Sequence, residues 1–211
     1  MPLSINRVVL NPRYGSNCYI VRASETATEA AIVDPGGDPG PLFAELERLD
    51  ATVAAILVTH SDVDHVDGVA ELSERTGAEV WAPAGEAEAL RNGATRGGFS
   101  VRPHDPEHTV SDGDRIVVAG IELEVSGIPG HSIDHVAFCV EANLFSGDLL
   151  FDRSVGRVDF PGGDWATLLD SIRRLLDRYG PDAVIYPGHG GLTTLGRELA
   201  TNPFLDELRV A

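Results

Sequence analysis

The chain contains no lysine. Its sixteen basic residues are all arginine, set against thirty-three aspartates and glutamates, for a formal charge of -17. A surface that binds nucleic acid clusters Lys and Arg against phosphates, so this balance argues against that class of partner. A salt-rich cytoplasm and a GC-rich genome both produce such a bias, and neither bears on the chemistry. Cysteine is nearly missing as well: Cys18 and Cys139 are the two present, each inside an apolar run. Neither belongs to a C-x-x-C pair, which removes thiolate zinc sites, and two buried, unpaired thiols fit a reducing compartment. No apolar stretch reaches the roughly 18 residues needed to cross a bilayer. The opening residues, MPLSINRVVLNPR, lack the charged-then-apolar order of a secretion signal. The expectation is a cytoplasmic protein with neither a membrane nor a nucleic-acid partner.

A length of 211 residues with 43% hydrophobic content supports one good core, so a single domain over residues 1–211 is expected. Period-two or wholly apolar runs predict strands at 5–10, 18–22 and 30–33, the last stopped by Asp34-Pro35-Gly36-Gly37. Leu42, Phe43, Leu46 and Leu49 recur at helical spacing. The segment 52–59 (TVAAILVT) reads as a strand buried on both faces. A helix over 68–76 and a strand over 79–82 come next, and 92–109 reads as a polar surface loop carrying His104 and His108 as plain surface residues. Two hairpins are expected, 115–118 with 121–126 and 136–140 with 143–146. The clearest helix is 164–179, with Asp164 as its N-cap and Gly180 at its end. A last buried strand, 183–186, runs into Pro187-Gly188-His189-Gly190. Strands interleaved with helices around a hairpin-rich middle predict an α/β (α+β) arrangement of two sheets between helices.

The chemistry concentrates just after these strands. Thr59-His60-Ser61-Asp62-Val63-Asp64-His65 puts four potential metal ligands into six residues, on a turn leaving a buried strand. Carboxylates and imidazoles crowded together without a cation repel or stay unsatisfied, so a metal ion accounts for them most simply. Three later segments repeat the placement with one ligand-type side chain each: Pro129-Gly130-His131-Ser132, Ser146-Gly147-Asp148 and Pro187-Gly188-His189-Gly190. Each follows a strand, where loops on a rigid scaffold carry function.

With these segments in view, the chain resembles the metallo-β-lactamase superfamily, and within it the short, single-domain glyoxalase II-type thioester hydrolases. The family's H-x-H-x-D-H signature followed by single His, Asp and His ligands falls here on His60, Asp62, Asp64, His65, His131, Asp148 and His189. GRVDFPGGD (156–164) and YPGHGGLTTLGRELATNPFL (186–205) resemble the same branch. The resemblance implies a four-layer αββα sandwich with the metals at one edge, between the sheets. It implies two divalent ions, the first held by His60, Asp62 and His131, the second by Asp64, His65 and His189, with Asp148 bridging. Two such ions share a hydroxide that attacks an acyl carbonyl, which gives Asp64 and Asp148 the catalytic positions. The implied reaction is metal-dependent hydrolysis of a thioester of the hydroxyacyl-glutathione kind. The helical C-terminal extension with which longer glyoxalase II enzymes bind glutathione is not found, so the thiol stays open. Two rival readings stand beside this one: a mono-iron persulfide dioxygenase-like enzyme, and a metal-binding protein with a degenerate first site and no turnover.

Asp62 stands where the family has its second histidine, and Asp67 where it often has glycine. Asp62 is shorter than an imidazole and charged, so three carboxylates plus hydroxide would set four negative charges against two divalent ions. That should blunt Lewis acidity and move the preference from zinc toward iron(II) or manganese(II). His135, four residues after His131, is a candidate for supporting the site or touching substrate. Arg153 and Arg157 follow the Asp148 loop, where relatives contact substrate carboxylates, and an anionic acyl-thiol would need such local positive charge.

Overall fold

The computed structural model describes residues 2–209. Its first sheet has the order β1 (Ser4–Asn11), β2 (Ser16–Arg22), β3 (Glu29–Val33), β4 (Thr52–Leu57), β5 (Glu79–Pro83) and β6 (His108–Val110). Between these strands lie α1 (Gly40–Arg48), α2 (Val63–Val66), α3 (Val69–Thr76) and α4 (Ala87–Asn92). The next strands are β7 (Arg115–Val118), β8 (Ile121–Gly127), β9 (Val136–Val140) and β10 (Asn143–Gly147). A small ribbon of β11 (Leu150–Phe151) and β12 (Ser154–Val155) precedes α5 (Trp165–Tyr179), β13 (Val184–Pro187) and β14 (Thr193–Thr194). The second sheet has the order β14-β13-β10-β9-β8-β7, and α6 (Leu195–Thr201) and α7 (Asp206–Arg209) close the described chain.

Alternation along the strands builds four layers. In the first sheet Tyr19, Val21, Ala31, Val33 and Leu57 point toward the second sheet and meet Val125, Phe138 and Phe145. Their neighbours Ile20, Ile32 and Ile56 point the other way, onto Leu42 and Leu46 of α1 and Leu72 of α3. On the far side, Ala137, Cys139, Leu144 and Ile185 pack under Leu168, Ile172 and Leu175 of α5. Strands apolar on both faces need helices on the outside and a second sheet on the inside, which is the αββα arrangement expected. No helix among the described residues is long and apolar enough to cross a membrane.

The sequence-based elements fall close to the observed ones; α4 and the β11–β12 ribbon are additional, and two further differences bear on the site. The stretch 92–109 is less a surface loop than expected: Thr95 and Val101 are buried, His104 is half-buried, and its end forms the edge strand β6 against β5. The ligand segment contains the one-turn helix α2, which periodicity in a stretch of four residues could not reveal.

Strand direction positions the site. β3 and β4 run parallel, and so do β10 and β13. β8 is antiparallel to β9, which is antiparallel to β10, so β8 shares the direction of β10. The C-terminal ends of β3 and β4 in one sheet, and of β8, β10 and β13 in the other, therefore gather at one edge of the sandwich. A main-chain bond from Asn17 N to Gly188 O (2.7 Å) joins the two sheets there.

Candidate metal centre

All of those strand ends but that of β3 deliver a predicted ligand. β4 leads to His60, Asp62, Asp64 and His65; β8 to His131; β10 to Asp148; β13 to His189. His60, His65 and His131 are buried, and Asp148 is only 8% exposed. Three groups of side-chain donors converge within metal-binding reach: Asp34, His60 and His65, of which Asp34 is taken up by Thr59 and His65 Nδ1; a first group of His60, His131 and Asp148; and a second of Asp64, His65 and His189. Gly188 permits the approach, because a Cβ there would collide with Asp148 Oδ1 and the His65 ring.

The second group has the dimensions of a single ion's shell. His189 Nε2 lies 3.2 Å from Asp64 Oδ2 and 3.4 Å from Asp148 Oδ2, while His65 Nε2 lies 3.2 Å from Asp148 Oδ1 and 3.9 Å from Asp64 Oδ2. Ligands about 2.1 Å from a tetrahedral centre stand about 3.4 Å from one another, and the separations among Asp64, His65, His189 and the two Asp148 oxygens lie near that value. A buried donor atom left without a protein partner points the same way: His60 Nε2, beside this group.

Hydrogen bonds behind the donors fix the imidazole tautomers. Asp34 Oδ2 accepts from His65 Nδ1 at 2.9 Å, which turns Nε2 toward the centre. The same carboxylate accepts from Thr59 N (2.8 Å) and Thr59 Oγ1 (2.7 Å), so Thr59 Oγ1 accepts in turn from His60 Nδ1 at 3.0 Å. His131 Nδ1 donates to the Arg157 carbonyl at 2.8 Å. Asp34 holds a positive φ of 52° just past β3, and it belongs to the turn that the sequence marks only as a strand stop. It ties the ends of β3 and β4 together. Nothing local in the sequence sets it apart from an ordinary turn aspartate.

Crowded charges dominate the protonation of the group. Burial lowers the pKa of His65, but Asp148 and Asp34 outweigh it and leave the imidazole well above its ordinary value. His189 is likewise lowered by burial and raised more strongly by Asp148 and Asp64, to about 10. Burial would raise Asp148, yet His65 and His189 hold it well below the usual carboxylate range. His60 goes the other way, lowered by burial and then by His65, His135 and His131. Without a cation, the carboxylates of this cluster take up protons on His65 and His189 in its place.

Two side chains that the sequence did not single out complete the frame. Glu86, only 5% exposed, accepts from Ser132 Oγ at 2.6 Å and from Ser61 Oγ, and so ties the His60 loop to the His131 loop. Arg96 forms a two-pronged pair with Asp62, Nε to Oδ1 at 2.8 Å and Nη2 to Oδ2 at 2.6 Å. Burial would raise the Asp62 carboxyl, but His131 and Arg96 bring it down to about 2. The unmatched charge of Asp62 was the one sequence signal that called for such a cation.

A groove of about 360 Å³ opens over Asp62, Asp64, His131, Asp148 and His189, walled by Tyr14, Phe99, Phe160 and Arg157. Arg157 stacks on Phe160 at 3.9 Å and pairs with Asp159. Arg153 is exposed and does not line this groove; its main-chain N–H bonds Glu198 at 2.8 Å. His135 is wholly buried, its ring 4.7 Å from that of His60, so it stands behind the donors and out of the groove. Cys18 and Cys139 are both buried in the core, and burial pushes each thiol up, so neither serves the groove as a nucleophile.

Comparison with known proteins agrees with this geometry. Residues 11–189 match the description of the Metallo-beta-lactamase superfamily. Hydroxyacylglutathione hydrolase GloC of Haemophilus influenzae is 34% identical over 201 residues, covering 92% of this chain and 94% of that protein. The structure of BLEG-1 B3 metallo-beta-lactamase superposes with a TM-score of 0.88 at 33% identity, covering 96% of this chain and all of that one. TTHA1623, solved in a di-iron-bound form, superposes with a TM-score of 0.79 at 38% identity over 95% of this chain and all of that one. The fold, the edge where the donors gather and the sequence match agree: this chain belongs to the metallo-beta-lactamase superfamily.

Proposed function

We propose that this chain is a metal-dependent hydrolase of small acyl-thiols, of the kind represented by hydroxyacyl-glutathione, acting in the cytoplasm. The observation that carries the reading is the set Asp64, His65, Asp148 and His189, whose separations fit one ion at the floor of an open groove. A divalent ion held there lowers the pKa of a bound water and polarises a carbonyl oxygen. The residues around it do the rest. Asp64 and Asp148 supply the negative charge that retains the ion and the acceptor oxygens that orient the attacking water. Arg157, at the groove wall, supplies positive charge for the carboxylate of an anionic thiol carrier, and Phe99, Phe160 and Tyr14 cover the acyl chain and exclude water.

The fixed tautomers favour a thioester over an amide. The Nδ1 protons of His60, His65 and His131 are committed to Thr59, Asp34 and the Arg157 carbonyl. A leaving thiol with a pKa of about 8.5 departs as thiolate and needs no donated proton, whereas an amine does. The GloC relative, by its name, acts on hydroxyacylglutathione. The reading is tested by following loss of thioester absorbance with a hydroxyacyl-glutathione and with acyl esters of other small thiols. A kcat/KM of at least about 10⁴ M⁻¹ s⁻¹, abolished by chelation and restored by metal, is expected. Absence of chelator-sensitive hydrolysis of every acyl-thiol in the panel refutes it.

A further inference from the structure

We infer that Arg96 takes the place of the first metal ion, so that this chain holds a single divalent ion at Asp64, His65, Asp148 and His189 where its family provides for two. The inference rests on reading the donor cluster as a metal site and concerns how many ions that site holds.

The decisive atom is His131 Nε2. An imidazole nitrogen has one in-plane lone pair, available either to a metal or to an N–H donor. Nδ1 of this ring is protonated, because it faces the Arg157 carbonyl at 2.8 Å. Nε2 therefore carries the lone pair, and Arg96 Nη2 donates into it at 2.8 Å. If Nε2 were protonated instead, its proton would go to Asp62 Oδ2 at 3.2 Å, and again no lone pair would remain. In either state a first ion loses His131.

Asp62 is equally committed. Both of its oxygens are engaged by the Arg96 fork, and Arg96 Nη1 reaches the His131 carbonyl as well. The guanidinium is thus fixed by Asp62 and by two atoms of His131, with its side chain only 11% exposed. Planar, two-pronged pairing of this kind is what arginine does best, and it anchors the group more firmly than a lone charge contact would. Of the first group only His60 and Asp148 then remain, the latter shared with the second group, too few for a tetrahedral ion.

Charge points the same way. The carboxylates facing the centre are Asp62, Asp64 and Asp148, three negative charges in all. Before any hydroxide is bound, one guanidinium and one dication balance them. Two dications beside the same guanidinium would leave an excess of positive charge in a largely buried site. Asp62 and Arg96 therefore act as a matched pair, the aspartate replacing the family's imidazole and the arginine replacing the ion that imidazole would bind. TTHA1623, which carries two irons, is the contrasting case.

The test is metal stoichiometry. The protein, stripped with chelator, is equilibrated with zinc and then separately with cobalt(II), passed through gel filtration and assayed for bound metal, with the cobalt visible spectrum as a second readout. One equivalent is expected for the parent chain. Arg96→Met frees Asp62 and His131 to join His60 and Asp148, so it should bind two equivalents and add a second cobalt absorption band. Asp62→His removes the anchor of Arg96 and restores the family's imidazole, and it too should bind two, which keeps the test open if Arg96→Met does not fold. Two tightly held equivalents in the parent, or one in a folded Arg96→Met or Asp62→His protein, overturns the inference. Two equivalents in a parent that still hydrolyses thioesters would leave the proposed function standing, whereas a parent that binds no metal would remove that function first.

Discussion

Glu86 offers the sharpest measure of how the site is framed. Its carboxylate is nearly inaccessible and is the shared acceptor for the hydroxyls of Ser61 and Ser132, the residues that follow His60 and His131. Hydrogen bonds to a charged group contribute about 1.5–3 kcal/mol each, and a buried hydroxyl left unpaired adds its own desolvation cost. Glu86→Ala removes two such bonds at once and leaves both serines facing a small void. Allowing for a water that partly fills it, the loss should be about 3–5 kcal/mol. Glu86→Gln keeps the shape, and since a serine hydroxyl can donate or accept, the amide can serve both; its cost should stay below about 1 kcal/mol. Denaturant unfolding of the chelated protein, read by circular dichroism, gives both numbers without interference from metal. A Glu86→Ala protein within about 1 kcal/mol of the parent would refute the view that this carboxylate ties the two loops together.

Asp148→Ala should lose bound metal and thioester hydrolysis together, because both carboxylate oxygens face donors of the proposed ion, while His104→Ala, a half-buried residue paired with Glu107, should change neither; elemental analysis and the thioester assay check both. Metal uptake should release protons: His65 sits well above its ordinary pKa and His189 at about 10, so both carry protons at pH 7 in the metal-free chain and must shed them. Calorimetric titration with zinc in two buffers of different ionisation enthalpy should read about two protons released, with affinity climbing as pH rises toward 10; zero release at pH 7 would contradict the pairing described. In the chelated protein the sign for Asp62 is opposite, since its carboxyl falls from an ordinary 3.8 to about 2. Its contribution to stability, about 2 kcal/mol, is present above pH 4 and disappears as pH falls through 2, so Asp62→Asn should narrow the gap to the parent at low pH. A gap that stays constant across that range would show the ion pair with Arg96 to be without effect.

The fold and most of the side chains that converge at the candidate site were readable because their signals are local. A strand rich in apolar residues announces itself, and His60, Asp64, His65, His131, Asp148 and His189 each lie just past the end of one. Arg96, Glu86 and Asp34 were not readable, since each acts across the chain. Arg96 meets Asp62 at a separation of 34 residues, from a Gly-rich stretch that looks solvated. Glu86 meets Ser61 and Ser132 at separations of 25 and 46. No periodicity marks such a residue. What the sequence did show was a deficit: an aspartate where an imidazole was expected is a charge in need of a partner, and the partner proved to be a side chain from a loop expected to lie on the surface.

Because the strands that carry donors share a direction in both sheets, the site closes on groups from the two halves of the chain. Asp64 and His65 follow β4 of the first sheet, Asp148 and His189 follow β10 and β13 of the second, and an ion held by all four, as proposed, would act as a latch across the interlayer core. Releasing it leaves no single floppy loop. The two sheets instead lose a common fastening, so amide exchange should quicken in both together. At free metal one hundred times the dissociation constant, such a latch adds about 2.7 kcal/mol to global unfolding. In a cell short of metal, the unfolded fraction offered to proteases would rise accordingly, and the amount of this protein would follow the metal supply with no dedicated regulator.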